Sequence, residues 1–196
     1  VNTAVLDVTS PILTVRSPIN GTYYNASSVV LNITANKNLL WAGYSINGTT
    51  VQNLGNTTQR IWNITKTFSD GVYNITFYGN DTSNNLGNTS DNVVYFFVDT
   101  TAPQNSSIGF TPLSPNDTST ITCFSTWTDN IALSAGFVEH NISGTFVNST
   151  NTTLGATRGD VNFTFVANSS TPGRVGCRFY AYDNAGLVNV TSFVIM

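Results

Sequence analysis

The chain has 196 residues, of which 9% are charged, and its formal net charge at pH 7 is −3. This weak negative charge gives no basis for binding nucleic acid or an anionic membrane. A hydrophobic fraction of 40% and an aromatic fraction of 12% can fill a folded core, which excludes a disordered chain. No run of about 18 apolar residues occurs, so no segment is predicted to span a bilayer.

Short segments of alternating polar and apolar residues recur from one end of the chain to the other. They are rich in β-branched and aromatic residues, and turn pairs such as Asn47-Gly48 and Ser143-Gly144 separate them, which predicts β-strands. No stretch has a helical period beyond about one turn. In chain order the clearest predicted strands are "VVLNITA" (29–35), "VYNITFY" (72–78), "NVVYFFV" (92–98), "TITCFS" (120–125) and "VNFTFVA" (161–167).

The chain contains a repeat of about a hundred residues. "LDVTSP" (6–11) aligns with "VDTTAP" (98–103), "WAGYSIN" (41–47) with "SAGFVEH" (134–140), and "GVYNITFYGND" (71–81) with "GRVGCRFYAYD" (173–183). About seven strands in about 95 residues is typical of a Greek-key sandwich. We therefore predict an all-β protein of two tandem immunoglobulin-like Greek-key β-sandwiches. The predicted divisions are an N-terminal strand over 1–7, domain 1 over 8–99 and domain 2 over 100–196.

The two cysteines, Cys123 and Cys177, both fall in the second copy. Strand alternation places Cys123 on a face with Ile121, and Cys177 on a face with Val175, so both thiols point inward and a disulfide is predicted. The alternative is a pair of buried free thiols packing as small hydrophobes. In the first copy the alignment puts Ile75 at the Cys177 position and Ile33 at the Cys123 position, where this apolar pair would fill the same volume.

Asparagine followed two residues later by Ser or Thr is unusually frequent. The pattern occurs at 17 asparagines and predicts dense N-glycosylation, hence covalent N-linked glycans on an extracellular protein. The alternative is that strand alternation alone favours polar residues at i and i+2, but this does not explain the patterns in turns. The predicted acceptors are Asn20, Asn25, Asn32, Asn47, Asn56, Asn63, Asn74, Asn80, Asn88, Asn105, Asn116, Asn141, Asn148, Asn151, Asn162, Asn168 and Asn189.

Residues for catalysis or cofactor binding are scarce. The single histidine, His140, excludes a histidine pair for zinc or shared catalysis, and we expect it at the surface or at a sheet edge. No glycine-rich phosphate loop occurs. Asp81 and Asp183 occupy matching positions of different copies, so they do not form a catalytic pair. We therefore predict no enzyme and no cofactor.

Two acidic turns leave one further interpretation open. "NDTSNN" (80–85) and "YDNAGL" (182–187) could place Asp and Asn oxygens around a calcium ion, although such an Asp more often binds its own turn backbone. The three tryptophans could form a sugar-binding platform. We expect Trp41 and Trp127 in the core instead, because they flank inward strands, and Trp62 is the candidate for an exposed aromatic patch.

The phrases "VDTTAP" (98–103), "SPINGTYYN" (17–25) and "FYGNDTSNN" (77–85) resemble the tandem immunoglobulin-like repeats of archaeal cell-surface proteins, which include surface-layer proteins, adhesins and extracellular filaments. This resemblance covers both copies and implies a structural or adhesive role without catalysis. The second copy departs from the pattern, because "SPNDTST" (114–120) replaces the "NGTYYN" turn and the cysteine pair is added.

The first six residues align with a last strand, although no domain precedes them in this chain. Either they are the remnant of a preceding domain in a longer array, or they complete the sheet of a neighbouring copy. A strand donated head to tail propagates into a filament. We predict a non-enzymatic structural subunit of an extracellular cell-surface filament, assembled with copies of itself. The alternatives are a fragment of a longer surface-layer or adhesin protein and a glycan- or receptor-binding fibre module. The predicted inter-subunit strand is Val1, Asn2, Thr3, Ala4, Val5 and Leu6.

Overall fold

The computed structural model describes residues 6–168, 171 and 173–196. The chain divides into two compact units, Val1–Val98 (unit 1) and Asp99–Met196 (unit 2). Both units are built from strands, and the described residues contain no α-helix, so none that could cross a membrane. The predicted all-β class with two tandem immunoglobulin-like sandwiches is confirmed.

Unit 1 contains eight strands within the described residues and one 3-10 turn, Ser90–Asn92. The strands form two layers, in the orders β1-β3-β5 and β4-β3-β6-β8-β2, and β7 also pairs with β6. Their bounds are β1 (Leu13–Ser17), β2 (Thr22–Tyr24), β3 (Ser28–Ile46), β4 (Gln52–Gly55), β5 (Gln59–Thr67), β6 (Gly71–Asp81), β7 (Leu86–Asn88) and β8 (Val94–Val98).

The 19-residue strand β3 passes through both layers of unit 1. Its first half pairs with β1 and β5, and its second half pairs with β4 and β6. Side chains of a strand alternate between its two faces, and Val29, Leu31 and Ile33 are all buried while Val30 is exposed. The residues on one face of β3 and of β6 are buried or pack against the buried cluster: Leu31, Ile33, Ala35, Tyr73, Ile75 and Phe77.

Unit 2 repeats this arrangement with nine strands in its described residues. One layer has the order β14-β10-β9 and the other β12-β11-β15-β16, with β13 paired to β11 and β17 to β15. The strands are β9 (Gln104–Thr111), β10 (Thr120–Thr128), β11 (Leu133–His140), β12 (Val147–Asn148), β13 (Thr152–Thr153), β14 (Arg158–Val166), β15 (Gly176–Asp183), β16 (Val188–Val190) and β17 (Val194–Ile195).

A disulfide between Cys123 and Cys177 joins the two layers of unit 2, as predicted. Both residues are fully buried, and they belong to β10 and β15. The prediction for the equivalent pair in unit 1 is half wrong. Leu31 of β3 pairs with Ile64 of β5. Cys123 has the matching position in the pairing of β10 with β14. Leu31 rather than Ile33 therefore stands at the Cys123 position.

Reduction of the Cys123–Cys177 bond is expected to destabilise unit 2 by about 3–4 kcal/mol, because the bond closes a long loop in the unfolded chain. Scanning calorimetry of the native protein, the reduced protein and a Cys123→Ala/Cys177→Ala variant measures this. The transition of unit 2 should move to lower temperature while that of unit 1 stays in place. Free thiols in the native protein, or equal shifts of both transitions, would contradict the expectation.

Candidate functional site

The last strand of unit 1, β8, has a strand partner on each side. It pairs antiparallel with β6, and β2 pairs with it in parallel through Thr22 opposite Phe96 and Tyr24 opposite Val98. The turn before β2 extends this contact, because the Asn20 Oδ1 accepts a hydrogen bond of 2.9 Å from the backbone N–H of Tyr95. The edge of β8 is therefore covered by residues of unit 1 itself.

Aromatic rings close the core of unit 1 beside this edge. Phe68 lies 5.3 Å from Phe96 and 4.8 Å from Tyr73 between ring centroids, and Tyr24 of β2 meets Phe96 edge to face at 6.0 Å. We call these four residues the aromatic plug. They fill the space between the two layers where β2 and β8 end.

Unit 2 has no counterpart of β2 among its described residues. The segment between β9 and β10 contains no strand, which is where "SPNDTST" (114–120) replaces the turn of unit 1. Strand β17 pairs with Gly176 and Cys177 of β15 on one side. Within the part of the chain that the structure describes, no strand pairs with its other edge. We call this the open edge of β17.

The aromatic plug also has no counterpart in unit 2. The register of β5 and β14 places Ala167 at the Phe68 position, and the pairing of β15 places Val175 and Met196 at the positions of Tyr73 and Phe96. A cavity of about 210 Å³ lies there, lined by these three residues and Ile121 among others. Its lining also includes the polar residues Asn116, Asp117, Asn168 and Thr171, and the cavity lies next to the open edge of β17.

The predicted inter-subunit strand falls mostly outside the described residues, because only Leu6 of its six residues is described. Leu6 is 77% exposed. The apolar residues that follow, Val8 and Ile12, are also exposed. Unit 1 therefore carries several solvent-facing apolar side chains immediately after the predicted strand.

An ion pair ties the start of unit 1 to its core. The Lys37 ammonium lies 2.8 Å from the Asp7 carboxylate and 3.1 Å from the Asp81 carboxylate, and it also donates to the carbonyl and hydroxyl oxygens of Thr9. The hydrogen bond with Lys37 holds the pKa of Asp7 below its usual range, and the same bond raises the pKa of Lys37. We call these contacts the unit 1 ion pair.

Asp81 binds its own turn, which is the alternative to calcium in residues 80–85. Its Oδ1 accepts hydrogen bonds from the backbone N–H groups of Ser83 and Asn85, and its Oδ2 faces Lys37. Burial alone would raise the pKa of Asp81, but the hydrogen bonds from Asn85, Lys37 and Ser83 outweigh it and lower the pKa to about 2. An ammonium and backbone amides therefore satisfy this carboxylate.

The predicted glycan acceptors all lie at or near the surface. Thirteen of the 17 asparagines are exposed, and the remaining four, which are Asn32, Asn74, Asn80 and Asn141, are half-buried. Two exposed ones use the amide nitrogen within the fold. Asn105 Nδ2 donates to Ser107 O, Ser125 Oγ and Thr126 O, and Asn189 Nδ2 donates to Pro103 O.

Trp62, the candidate for an exposed aromatic patch, is only 2% exposed and belongs to the core of unit 1. Its place on the inward face of β5 explains this, since its pairing partner Ile33 is also buried. Trp127 is fully buried, as expected, and Trp41 is half-buried. His140 is half-buried on β11 and stacks on Phe163, and burial lowers its pKa.

No protein-family model matches the chain, and no curated protein matches its sequence. Among solved structures, domains A168–A170 of titin are 11% identical with a TM-score of 0.58, and the match covers 96% of this chain and 66% of that one. The fibronectin(III)-like modules of Clostridium thermocellum CbhA are 16% identical, with a TM-score of 0.46 and coverages of 94% and 92%. A tetra-tandem repeat from the extending region of a large adhesion protein is 16% identical, with a TM-score of 0.40 and coverages of 95% and 48%. The similarity to titin agrees with the fold: this chain is a tandem pair of immunoglobulin-like domains.

Unit 1 is expected to lose stability as the pH falls from about 4 to about 2. The pKa of Asp81 is lower in the folded chain than its ordinary value of 3.8, so its contribution is complete above 3.8 and is lost as the pH falls through about 2. Urea unfolding of the wild type and of Asp81→Asn over this range should show a shallower pH dependence in the variant. The exposed Asp117→Asn serves as the control, and identical slopes for wild type and Asp81→Asn would contradict the assignment.

Glycan occupancy is expected to follow the engagement of the amide nitrogen. Asn63 and Asn162, which are exposed on β5 and β14, should carry glycans. Asn105 should not, because a sugar on its Nδ2 would disrupt hydrogen bonds to β10. Mass-spectrometric peptide mapping of the native glycoprotein, before and after chemical deglycosylation, checks this. An occupied Asn105 or an unmodified chain would overturn it.

Proposed function

We propose that this chain is a non-enzymatic structural subunit of an extracellular, cell-surface filament, and that copies assemble by donation of residues 1–6. The observation that carries the proposal is the open edge of β17 beside a cavity whose apolar wall is formed by Ile121, Val175 and Met196. In unit 1 the equivalent sheet edge is covered by β2, and the equivalent space in the core is filled by the aromatic plug. A strand from a second copy would supply to unit 2 what β2 supplies to unit 1.

The sequence of the donated strand suits this position. A strand that pairs with β17 in parallel, as β2 pairs with β8, would continue the sheet through main-chain hydrogen bonds. In such a strand, alternation would place Asn2, Ala4 and Leu6 on one face and Val1, Thr3 and Val5 on the other. Apolar side chains therefore occur on both faces, and Leu6 is large enough to enter the cavity lined by Ala167 and Val175.

Donation of this kind has a geometric consequence. The donor strand and the acceptor edge belong to different units of the chain, so one copy can donate to a second while it accepts from a third. Such a heterologous contact propagates instead of closing when successive copies are not related by a closing rotation. Covering the edge of β17 would also remove an unpaired strand that invites non-specific aggregation.

The extracellular location rests on two independent features. The Cys123–Cys177 disulfide is of a kind that persists in oxidising environments outside the cytosol. The 17 acceptor patterns lie on solvent-accessible or half-buried residues of both units, where glycans would solubilise a surface with few charges. The archaeal source suggested by the sequence phrases belongs to the same proposal.

Two alternatives make different claims. As a fragment of a longer surface-layer or adhesin protein, the chain would carry residues 1–6 as the last strand of a preceding domain. The mass of the deglycosylated native polypeptide would then exceed 21.1 kDa by the mass of one or more whole domains. A glycan- or receptor-binding fibre module would need a surface platform. The burial of Trp62 removes the residue on which that alternative was based.

Removing residues 1–6 is expected to abolish assembly while both units remain folded. Ala167→Phe should have the same effect from the acceptor side, because its ring would fill the cavity as Phe68 fills the plug of unit 1. Val166→Phe, on the neighbouring exposed residue, is the matched control and should assemble normally. Sedimentation velocity and negative-stain microscopy measure polymer length, and calorimetry confirms folding.

A synthetic peptide of residues 1–6 adds a test that leaves the chain unaltered. It should cap growing polymers of the wild type and should not bind Ala167→Phe. Polymers that still form after the deletion would refute strand donation. Polymers of Ala167→Phe of normal length would refute the assigned acceptor edge.

A further inference from the structure

Three aspartates of unit 2 occupy the positions that form the unit 1 ion pair. Asp99 lies 92 residues after Asp7, and Asp129 lies the same 92 residues after Lys37. The register of β3 with β5 and of β10 with β14 supports this offset. Asp183 is the last residue of β15, and Asp81 is the last residue of β6. Unit 2 thus replaces the ammonium with a third carboxylate.

The three carboxylates converge in the interior of unit 2. One oxygen from each of Asp99, Asp129 and Asp183 lies within 4.8 Å of the other two. Their exposures are 0%, 9% and 2%, so water has little access to them. They come from three separate segments, which are the start of unit 2, the turn between β10 and β11, and the end of β15.

Each carboxylate uses one oxygen to bind its own loop. Asp129 Oδ1 accepts hydrogen bonds from the backbone N–H groups of Ile131 and Ala132, and Asp183 Oδ1 accepts one from Leu187. The Oδ2 atoms of Asp129 and Asp183 are buried and have no hydrogen-bond partner. In the unit 1 ion pair the Oδ2 atom of Asp81, the counterpart of Asp183, lies 3.1 Å from the Lys37 ammonium.

The negative charge gathered at this place favours the binding of a cation. Three carboxylates gathered in a nearly dry interior repel one another and lose their hydration. No basic side chain of the described residues forms an ion pair with Asp129 or Asp183. Two carboxylates and one ammonium give unit 1 a local charge of −1, and three carboxylates with one divalent cation give the same value.

We propose that Asp99, Asp129 and Asp183 bind one calcium ion in unit 2. Calcium takes oxygen ligands from carboxylates, carbonyl groups and waters in a flexible geometry, whereas magnesium demands a near-ideal octahedron and retains several of its waters. The ion would do for unit 2 what the Lys37 ammonium does for unit 1, because it holds the first residue of the unit to a turn and a strand end. This site is independent of strand donation.

Titration calorimetry of the full chain tests the proposal, after treatment with EDTA and removal of the chelator. Calcium chloride should bind with a stoichiometry of one per chain. The melting temperature of unit 2 should rise by about 10 °C once free calcium is about a hundredfold above its dissociation constant. Absence of binding, together with equal melting temperatures in EDTA and calcium, would overturn the proposal. An equal response to magnesium chloride at the same concentration would overturn the choice of calcium.

Exchanging residues between the two units provides the matched variants. Asp129→Lys should abolish calcium binding while unit 2 stays folded without the ion, because its ammonium recreates the arrangement of unit 1. Asp129→Asn should weaken binding without adding a positive charge, which covers the case in which the lysine does not fit. Lys37→Asp should raise the stoichiometry to two, and the exposed Asp117→Asn should leave it at one. Unchanged calcium affinity in both Asp129 variants would refute the assigned ligands.

Discussion

The backbone N–H and C=O groups at the edge of a sheet need partners, and the two units meet this requirement differently. Unit 1 folds its own short strand β2 against β8 and closes the adjoining core with aromatic rings. Unit 2 leaves the equivalent edge of β17 without a strand within its described residues, beside a cavity lined by both apolar and polar residues. An edge left in this state offers backbone groups with which a strand of another chain can pair. The proposed assembly depends on this difference.

Comparison of the two units shows how one backbone arrangement accommodates different chemistry at matching positions. Between the layers, unit 2 uses a disulfide where unit 1 packs the apolar side chains Leu31 and Ile75. Near the start of each unit, the Lys37 ammonium of unit 1 corresponds to the Asp129 carboxylate of unit 2. In this second case the ion pair of unit 1 suggests the charge that unit 2 would bind. A repeat inside one chain therefore serves as its own reference structure.

Alternation along the strands was sufficient to predict the fold class, the inward cysteines and most of the core. It did not determine the register between copies, and Ile33 was placed one inward position away from Leu31, because neighbouring inward positions of a strand have the same period. Trp62 shows the same limit, since its surroundings become apparent only when β5 is paired with β3. Asp99, Asp129 and Asp183 are far apart in the sequence, so their proximity becomes apparent only in the folded structure. The glycan acceptors were readable from the sequence, but the hydrogen bonds that engage the Asn105 amide were not.

The covalent link between the layers of unit 2 also limits how far that unit can be extended by force. The residues between its two cysteines, which are separated by 54 positions, stay enclosed while the bond is intact. An extended residue spans about 3.3–3.6 Å, so the disulfide would prevent the extension of roughly 180–190 Å of chain when the ends are pulled. Unit 1 has no such loop, because both cysteines belong to unit 2. A chain under tension would therefore lengthen in two unequal steps as its units unfold, and the shorter step would come from unit 2, which contains the disulfide.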